Sequence, residues 1–495
     1  MAWYATKRRK ALGEQLAALQ RACKEKGISV LIMIDGWESS GRGAVMNDLV
    51  RELDAKNYRI STPETCTKST WKNPCASVPN RPFWAGLPAK GEFAVFDRSL
   101  YYELLNDLQM DREEEKRRLR RGMETERLFY EDGMILLKFF LDMSEKGQKK
   151  AIEALEADPY RQVLVSGFDW EQNKAYGAYR KRFDQILAET DQPFAPWYVV
   201  SGEKHKNASR TVLGICIEEI EKGIRRLEED HADEVQTSIQ KTLLTADDTE
   251  RPARKMENPW QVLEPLDKDM YKKKCKALQK EAGKLAYGLY AKGIPCVLVF
   301  EGVDAAGKGG AISRLIRQFD ARDYVINPTS APTDREKEHH YLWRFYNNFP
   351  QSGKIAIFDR SWYGRVMVER VEQFATEGEW RRAYREINEM ERELSENGVL
   401  VLKFFLMISK EEQKRRFQAR QEEKPYKITE EDWRNREKWD EYLRAFEDMF
   451  AQTSTRNAPW TILTTDDKRR ARIGVLETFV DAAKRALREH PKAKS

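Results

Sequence analysis

Residues 297–310 read VLVFEGVDAAGKGG, and residues 31–44 read LIMIDGWESSGRGA. Each stretch is a short apolar run that leads into a glycine-rich turn and then into a helical pattern. The later copy has Lys308 at the end of the turn, where the earlier copy has Arg42. Glycines let backbone N–H groups close around phosphate oxygens, and a helix N-terminus with a lysine adds positive charge. The later stretch therefore predicts a phosphate-binding loop of the Walker A type.

The two stretches belong to a repeat that runs through the whole chain of 495 residues. A shift of about 262–266 positions aligns the halves in order, for example Phe96–Ser99 with Phe358–Ser361. This period is too long for a solenoid and indicates a duplicated domain. The polar stretch 231–266 has the composition of a linker. We therefore predict two domains, at 1–255 and 256–495.

Short apolar strands alternate with helical patterns in each half. In the second half the predicted strands are 297–300, 355–358, 399–405 and 460–463, and the predicted helices are 268–292, 380–396, 410–450 and 468–487. The first half opens in the same way, with a charged helix at about 5–26. Such alternation is typical of an α/β fold with a parallel sheet and helices on both faces. Ligands of such sheets bind at the carboxyl ends of the strands.

Composition argues against several classes of protein. No apolar run approaches the roughly 20 residues needed to cross a bilayer, and the basic start lacks an apolar signal core, so we expect a cytoplasmic protein without a membrane partner. Six cysteines without a C-x-x-C pair, and five histidines, argue against a zinc site or a disulfide framework. A net charge of +6 with interspersed signs does not indicate a nucleic-acid partner. The paired His339 and His340 are expected to be solvated.

The second loop departs from the usual pattern at one position. Gly302–Lys308 fits G-x-x-x-x-G-K, but Gly309 replaces the Ser or Thr whose hydroxyl normally binds Mg²⁺. The metal therefore needs other ligands. Asp304 lies inside the loop, and Asp359 ends a strand where the Walker B carboxylate of such enzymes lies. We interpret both as ligands of Mg²⁺ or as groups that position the attacking oxygen; a turn-forming or capping role is the alternative.

Several arginines could surround this loop. Arg360 directly follows the strand-end aspartate, and Arg344 and Arg365 lie nearby in sequence. Arg416 and Arg420 are four residues apart and share one face of a charged helix. Arginine forks match phosphate oxygens, and a mobile basic lid would cover the phosphates and exclude water. Surface salt bridges and a solvated helix face are the alternatives.

These motifs together resemble the polyphosphate kinase 2 family. The residues that carry the resemblance are GVDAAGKGG at 302–310, PT at 332–333, WRFY at 343–346, FDRSWYGRV at 358–366, LKFFL at 402–406 and SKEEQKRRF at 409–417. The resemblance covers the second half almost entirely and the first half in weakened form. The two-domain length is similar to the class that phosphorylates AMP with polyphosphate.

The resemblance implies two tandem P-loop kinase domains similar to thymidylate kinase, each with a helical lid. It also implies Mg²⁺-dependent phosphoryl transfer from inorganic polyphosphate to AMP, or to another nucleoside monophosphate, by a homo-oligomer. The implied catalytic residues are Asp304, Lys308, Asp359 and Arg360, and the two aspartates are the implied metal ligands. The implied phosphate- or nucleotide-binding residues are Gly302, Ala305, Ala306, Gly307, Gly309, Arg344, Arg365, Arg416 and Arg420. The alternatives are an ATP-dependent nucleoside monophosphate kinase and a polyphosphate-binding protein without turnover.

The first half changes the positions that would perform this chemistry. Glu38 stands where the second half has Asp304, and Arg42 where it has Lys308. A planar guanidinium does not reproduce a compact ammonium, and the longer glutamate moves its carboxylate. Further losses are Pro82 for Arg344, Ala151 for Arg416 and Ser209 for Arg472. We predict that the first half performs little or no phosphoryl transfer and has a structural role; a residual role in holding polyphosphate is the alternative.

Overall fold

The computed structural model of the protein describes residues 2–62, 78–229, 265–423 and 430–489, without the side chains of 423 and 430–432. The predicted linker up to residue 264, and with it the boundary at 255/256, lies outside these ranges, so the domain division stays a prediction. The chain forms two compact units. Of the described residues, unit 1 contains 2–62, 80–229 and Thr333–Trp343, and unit 2 contains 78–79, 265–332 and 344–489. Among the described helices, none is long and apolar enough to cross a membrane.

Unit 1 is built on a five-stranded parallel sheet with the strand order β2-β3-β1-β4-β5. The strands are β1 (Val30–Gly36), β2 (Tyr58–Ser61), β3 (Phe93–Asp97), β4 (Ile135–Asp142) and β5 (Trp197–Ser201). The helices are α1 (Arg9–Lys26), α2 (Arg42–Val50), α3 (Arg81–Gly86), α4 (Tyr102–Asn106), α5 (Arg112–Glu131), α6 (Glu145–Glu156), α7 (Gly167–Lys174), α8 (Tyr176–Glu189) and α9 (His205–Glu228). The central strand β1 is buried along its whole length, as its continuous apolar run predicts.

Unit 2 repeats this plan with the strand order β10-β9-β6-β8-β7, again all parallel. The strands are β6 (Cys296–Gly302), β7 (Tyr324–Pro328), β8 (Ile355–Asp359), β9 (Leu400–Met407) and β10 (Trp460–Thr464). The helices are α10 (Lys268–Ala291), α11 (Lys308–Leu315), α12 (Asp334–Lys337, in unit 1), α13 (Trp343–Tyr346), α14 (Val368–Val371), α15 (Glu377–Glu396), α16 (Lys410–Glu423), α17 (Glu430–Glu437), α18 (Trp439–Thr453) and α19 (Lys468–Glu489).

The predicted α/β class and the predicted strands are confirmed, with two differences. The predicted helix at 410–450 is divided into α16, α17 and α18. Strand β7 was not predicted, because it lies at the sheet edge and its short YVINP sequence is largely exposed, which gives no continuous apolar run.

Part of the second half packs within unit 1. The backbone N–H of Lys90 donates to Glu338 O at 2.9 Å, and the rings of Trp84 and His340 have centroids 5.6 Å apart. The expectation that the paired histidines are solvated is therefore wrong: His339 is 9% exposed and His340 is 4% exposed. The charged neighbours of this pair point to solvent, but His339 itself stacks on Trp343 at a centroid distance of 4.2 Å.

Each unit also buries an ion pair at the same place in the repeat. Lys138 Nζ lies 2.9 Å from Glu126 Oε2 in unit 1, and Lys403 Nζ lies 2.7 Å from Glu391 Oε2 in unit 2. All four side chains are at most 1% exposed. A buried pair of this kind is costly to disturb. The two units therefore share interior detail as well as strand order, although their loops differ in sequence.

Candidate active site

The loop between β6 and α11 is the centre of the candidate site. Gly302 has a φ of 142°, and a Cβ on it would lie 2.2 Å from Leu406 O on the neighbouring strand. Only glycine fits this close approach. Gly307 has a φ of 104° and precedes the first residue of α11, so the loop ends at a helix N-terminus. The predicted strand–loop–helix arrangement, which suits phosphate binding, is confirmed.

Lys308 is the first residue of α11, and its ammonium group donates a hydrogen bond to Gly302 O at 2.7 Å. This contact uses one of the three N–H donors of an ammonium group, so the group can bridge the loop and a phosphate oxygen. Glu301 is buried nearby and accepts a hydrogen bond from Ser361 Oγ at 2.8 Å. Burial raises the pKa of Glu301, and the positive charge of Lys308 opposes that rise.

Sequence reasoning missed Glu301 as part of the site. The available signal was an acidic residue at the end of an otherwise apolar strand, which occurs in both halves. Its counterpart Asp35 is also buried, and Ser99 N donates to it at 2.9 Å. Burial raises the pKa of Asp35 to about 6. Each unit therefore keeps a carboxyl group beneath its loop.

The structure brings Asp304 and Arg360 together at the carboxyl edge of the sheet. Asp304 Oδ1 accepts from Arg360 Nη2 at 3.2 Å, and Asp304 Oδ2 accepts from Asn435 Nδ2 at 3.0 Å. Arg360 has a φ of 64°, a conformation that only a few per cent of non-glycine residues adopt, and its counterpart Arg98 has a φ of 88°. Asp359 lies beside Phe300 in the register of β8 and β6. Asn435, in α17, was also missed, because nothing in the sequence connects it to the loop.

The side chain of Arg416 contacts backbone carbonyl oxygens of the loop. Its Nη1 donates to Ala305 O at 2.9 Å and to Ala306 O at 3.3 Å, and its Nε donates to Glu412 Oε1 at 2.6 Å. Its Nη2 donates to Thr465 O. The side chain is only 5% exposed. In this arrangement Arg416 supports the loop, and its predicted contact with phosphate stays a prediction.

Two of the other predicted arginines contact residues outside the loop. Arg344 Nη1 donates to Ser330 O at 3.1 Å. Arg365 forms an ion pair with Glu369 at 3.1 Å and is 15% exposed. Arg420 is half-buried one turn after Arg416 in α16. Phosphate binding by these three residues stays a prediction.

The corresponding loop in unit 1 is occupied by its own arginine. Arg42 Nη2 lies 2.9 Å from Glu38 Oε2, and Arg42 Nε lies 3.1 Å from Asp97 Oδ1. Arg42 Nη1 also donates to Gly36 O at 3.2 Å and to Trp37 O at 3.3 Å. The guanidinium side chain is 11% exposed. One internal cation therefore binds both acidic positions of unit 1.

Side chains from α7 and α8 hold this first loop further. Glu38 N donates to Gln172 Oε1 at 2.8 Å, and Trp37 is fully buried and stacks on Tyr176 with centroids 4.2 Å apart. A loop that is fixed by its own side chains must break these contacts to admit a substrate. This geometry supports the predicted loss of phosphoryl transfer in the first half.

The acidic positions of unit 2 carry the oxygen ligands that a magnesium ion prefers. Among the described residues, no group of three or more His, Cys, Asp or Glu side chains forms a metal site. Mg²⁺ usually takes one or two carboxylates and completes its coordination with water and substrate phosphates. Asp304 and Asp359 would supply the carboxylates. Their counterparts in unit 1 both contact one cationic group, Arg42, so this pair of positions can share a cation.

A parallel sheet with this loop, its lysine and a strand-end aspartate defines a kinase-like fold of the P-loop class. The model of the family Polyphosphate kinase 2 (PPK2) matches residues 4–227 and again residues 265–491. The chain therefore belongs to the polyphosphate kinase 2 family, and each half matches the family separately.

Proteins similar to this chain share its two-part length. A protein from Pseudomonas aeruginosa named polyphosphate:AMP phosphotransferase is 36% identical over 489 residues, which cover 97% of this chain and 95% of that protein. A protein of the same name from Acinetobacter johnsonii is 33% identical and covers 95% of this chain and 94% of its own length. A crystal structure of a polyphosphate kinase 2 from Pseudomonas aeruginosa has a TM-score of 0.80 at 33% identity, covering 98% of this chain and 96% of that one.

Proposed function

We propose that this chain transfers the terminal phosphoryl group of inorganic polyphosphate to AMP, giving ADP, and that unit 2 performs the reaction. The names of the full-length relatives support the substrates. The difference between the two loops supports the choice of unit. Lys308 makes its contact with a loop carbonyl, whereas Arg42 is bound to both carboxylates that would serve the reaction.

In this reaction an oxygen of the AMP phosphate attacks the terminal phosphorus of polyphosphate, in line with the P–O bond that breaks. The shortened chain leaves with the electron pair of that bond. Lys308 and the N–H groups at the start of α11 bind oxygens of the transferred group, and Arg360 neutralises charge beside them. The second pKa of a phosphate monoester is about 6. The attacking oxygen is therefore already deprotonated at neutral pH, and Asp359 need not act as a general base.

We propose Mg²⁺ as the cofactor, with Asp304 and Asp359 as its protein ligands. When bound, the ion neutralises phosphate charge and helps to align donor and acceptor. Without a cation, Asp304 would repel the phosphates close to it, and its contacts with Arg360 and Asn435 offset only part of that repulsion. We also propose a cytoplasmic location and a homo-oligomeric state; light scattering on the purified chain tests the latter.

The decisive experiment supplies the full chain with AMP and Mg²⁺ and either polyphosphate or ATP as donor. We expect ADP to accumulate with polyphosphate in the absence of ATP. Turnover with ATP alone would instead favour a conventional nucleoside monophosphate kinase, and no turnover with either donor would favour a binding protein.

A matched pair of variants assigns the reaction to one unit. Asp359→Asn should abolish turnover, and Asp97→Asn, the equivalent change in unit 1, should leave kcat within about twofold, because only unit 2 performs the reaction. Equal losses in both variants would contradict the assignment to unit 2.

A further inference from the structure

Unit 1 contains a basic cleft between three helices that the proposed reaction does not use. We call it the helix cleft; its volume is about 380 Å³, and it is lined by Arg9, Lys10, Asp48, Arg51, Glu52, Lys206 and Arg210. These residues come from the start of α1, the end of α2 with the residues that follow it, and the start of α9. Its volume lies in the range of small-ligand sites.

The helix cleft is positive because five of its lining side chains are cationic and only two are acidic. Asp48 is 5% exposed, lies 2.6 Å from Arg9 and accepts a hydrogen bond from Ser209 Oγ at 2.8 Å. Lys10, Arg51 and Lys206 are exposed. Arg51 also lies 3.4 Å from Asp48, and Lys10 lies 3.9 Å from Glu14. The lining still has more cations than carboxylates, so an incoming anion meets a net positive charge.

The helix ends at the cleft add to this potential. α1 follows Arg8, α9 follows Lys204, and neither helix has an acidic residue in its first turn or a side-chain hydrogen bond at its N-cap. The N-terminus of a helix carries partial positive charge, so cations there are unfavourable. A bound anion would reverse this repulsion at both helices.

The repeat shows that two of these cations are particular to unit 1. The residue aligned with Arg9 is Cys275, and the residue aligned with Arg210 is Ile473. Both are buried in unit 2, at 7% and 4% exposure. The half that lost its loop chemistry therefore carries arginines at two positions where the half with the intact loop has uncharged, buried side chains.

All seven residues that line the cleft are charged, and none of them has an aromatic ring on which a nucleotide base could stack. Sites for single-stranded nucleic acids typically combine cations with aromatic rings on which bases stack. We propose that the helix cleft binds a run of phosphates in an inorganic polyphosphate chain. This inference rests on the proposed function for its donor. Retention of a long chain at a second point would keep donor at high local concentration around the protein.

The test uses the full chain with three exposed cations neutralised. The cleft variant is Lys10→Gln/Arg51→Gln/Lys206→Gln, in which Asp48 loses Arg51 but keeps Arg9 and Ser209 as partners. The control variant is Lys150→Gln/Lys174→Gln/Lys181→Gln, three exposed lysines of unit 1 that do not line the cleft. Both variants change the net charge equally. Thermal unfolding should show that both fold.

Binding of long-chain inorganic polyphosphate is titrated for each variant at low and at physiological salt, with Lys308→Ala present throughout to weaken the catalytic loop. We expect the cleft variant to bind at least about tenfold more weakly than the parent, with a shallower dependence on salt, because three ion contacts are lost. The control variant should stay within about twofold. With Lys308 restored, the cleft variant should show a raised KM for long-chain polyphosphate and an unchanged kcat.

Equal affinities of the cleft and control variants would overturn the proposal. Single-stranded DNA serves as a second probe. If it binds as tightly as polyphosphate and loses the same affinity in the cleft variant, the cleft is a general polyanion surface, and the proposal is again overturned. Failure of the proposed function is separate. If the protein binds polyphosphate through the cleft but forms no ADP, only the proposed reaction is contradicted. If ADP forms normally and polyphosphate binding does not depend on the cleft, only this inference is contradicted.

Discussion

Arg416 allows a direct test of how the catalytic loop is held in place. We consider Arg416→Met, which keeps much of the aliphatic length and removes all five N–H donors of the guanidinium group. The change leaves the carbonyl oxygens of Ala305 and Ala306 without their buried donor and leaves Glu412 without one of its cations. We expect both the stability of unit 2 and the position of the loop to suffer.

The magnitude follows from these contacts. A hydrogen bond from a charged donor contributes about 1.5–3 kcal/mol, and removal of one partner from a buried ion pair costs about 3–5 kcal/mol. These contributions overlap at Arg416, so we expect the free energy of unfolding of unit 2 to fall by about 3–5 kcal/mol. A displacement of reacting groups by about 1 Å can cost roughly 100-fold in rate. We therefore expect kcat to fall about 100-fold, with little change in the KM for polyphosphate.

Calorimetry and initial rates of ADP formation measure the two effects, and Arg415→Met is the matched control. Arg415 is 70% exposed and binds the same Glu412 at 2.7 Å, so its loss should cost at most about 0.5 kcal/mol. Arg416→Lys, which keeps the charge with fewer donors, should give intermediate kcat and stability. If Arg416→Met raises the KM for polyphosphate while kcat and stability match those of Arg415→Met, Arg416 is a phosphate contact and the reasoning is refuted.

Three further predictions concern the loops. Lys308→Ala should lower kcat by roughly 100- to 1000-fold, because that is the usual effect of losing a charged donor at a transition state. The melting temperature should not fall. A rate assay and calorimetry measure these two effects, and near-normal turnover would exclude the assigned role of Lys308. Arg42→Lys is made together with Lys308→Ala, so that any ADP must come from unit 1. This double variant should give no turnover because Glu38 remains. Measurable ADP would show that Arg42 alone prevents catalysis in unit 1. Gly302→Ala should destabilise unit 2 by at least about 2 kcal/mol, because its methyl group would lie 2.2 Å from a neighbouring carbonyl oxygen. Gly309→Ala is the control, since a Cβ at that position has nothing within 4 Å. In denaturant titrations Gly309→Ala should unfold like the parent protein.

Local patterns were enough to predict the framework of each unit. A continuous apolar run followed by glycines and a helical pattern defines β6, the loop and α11, because each part depends mainly on residues close in sequence. The parallel sheet then places Asp359 at the same edge as the loop, since the carboxyl ends of parallel strands meet there. Those two steps account for the correct positions of Asp304, Lys308 and Asp359 in the fold.

Side-chain partners from distant segments could not be predicted in the same way. Arg416 was expected on a lid that faces phosphate, because charge and spacing describe an exposed helix face equally well; its burial depends on carbonyl oxygens more than 100 positions away. The pairing of Arg42 with both acidic groups likewise depends on the register of β1 and β3. Residue types alone predict a loss of chemistry in unit 1, which stays a prediction, but they did not predict the side-chain contacts that hold its loop.

The position of Arg42 has a consequence for how each loop responds to the supply of substrate. A site that binds a free ligand gains stability as the ligand concentration rises. Unit 2 should therefore have a loop whose order rises and falls with the amounts of donor and metal. In unit 1 the cation is part of the chain and cannot be diluted or removed by a chelator. Its loop keeps the same order in a cell that has exhausted its polyphosphate as in one that has stored it.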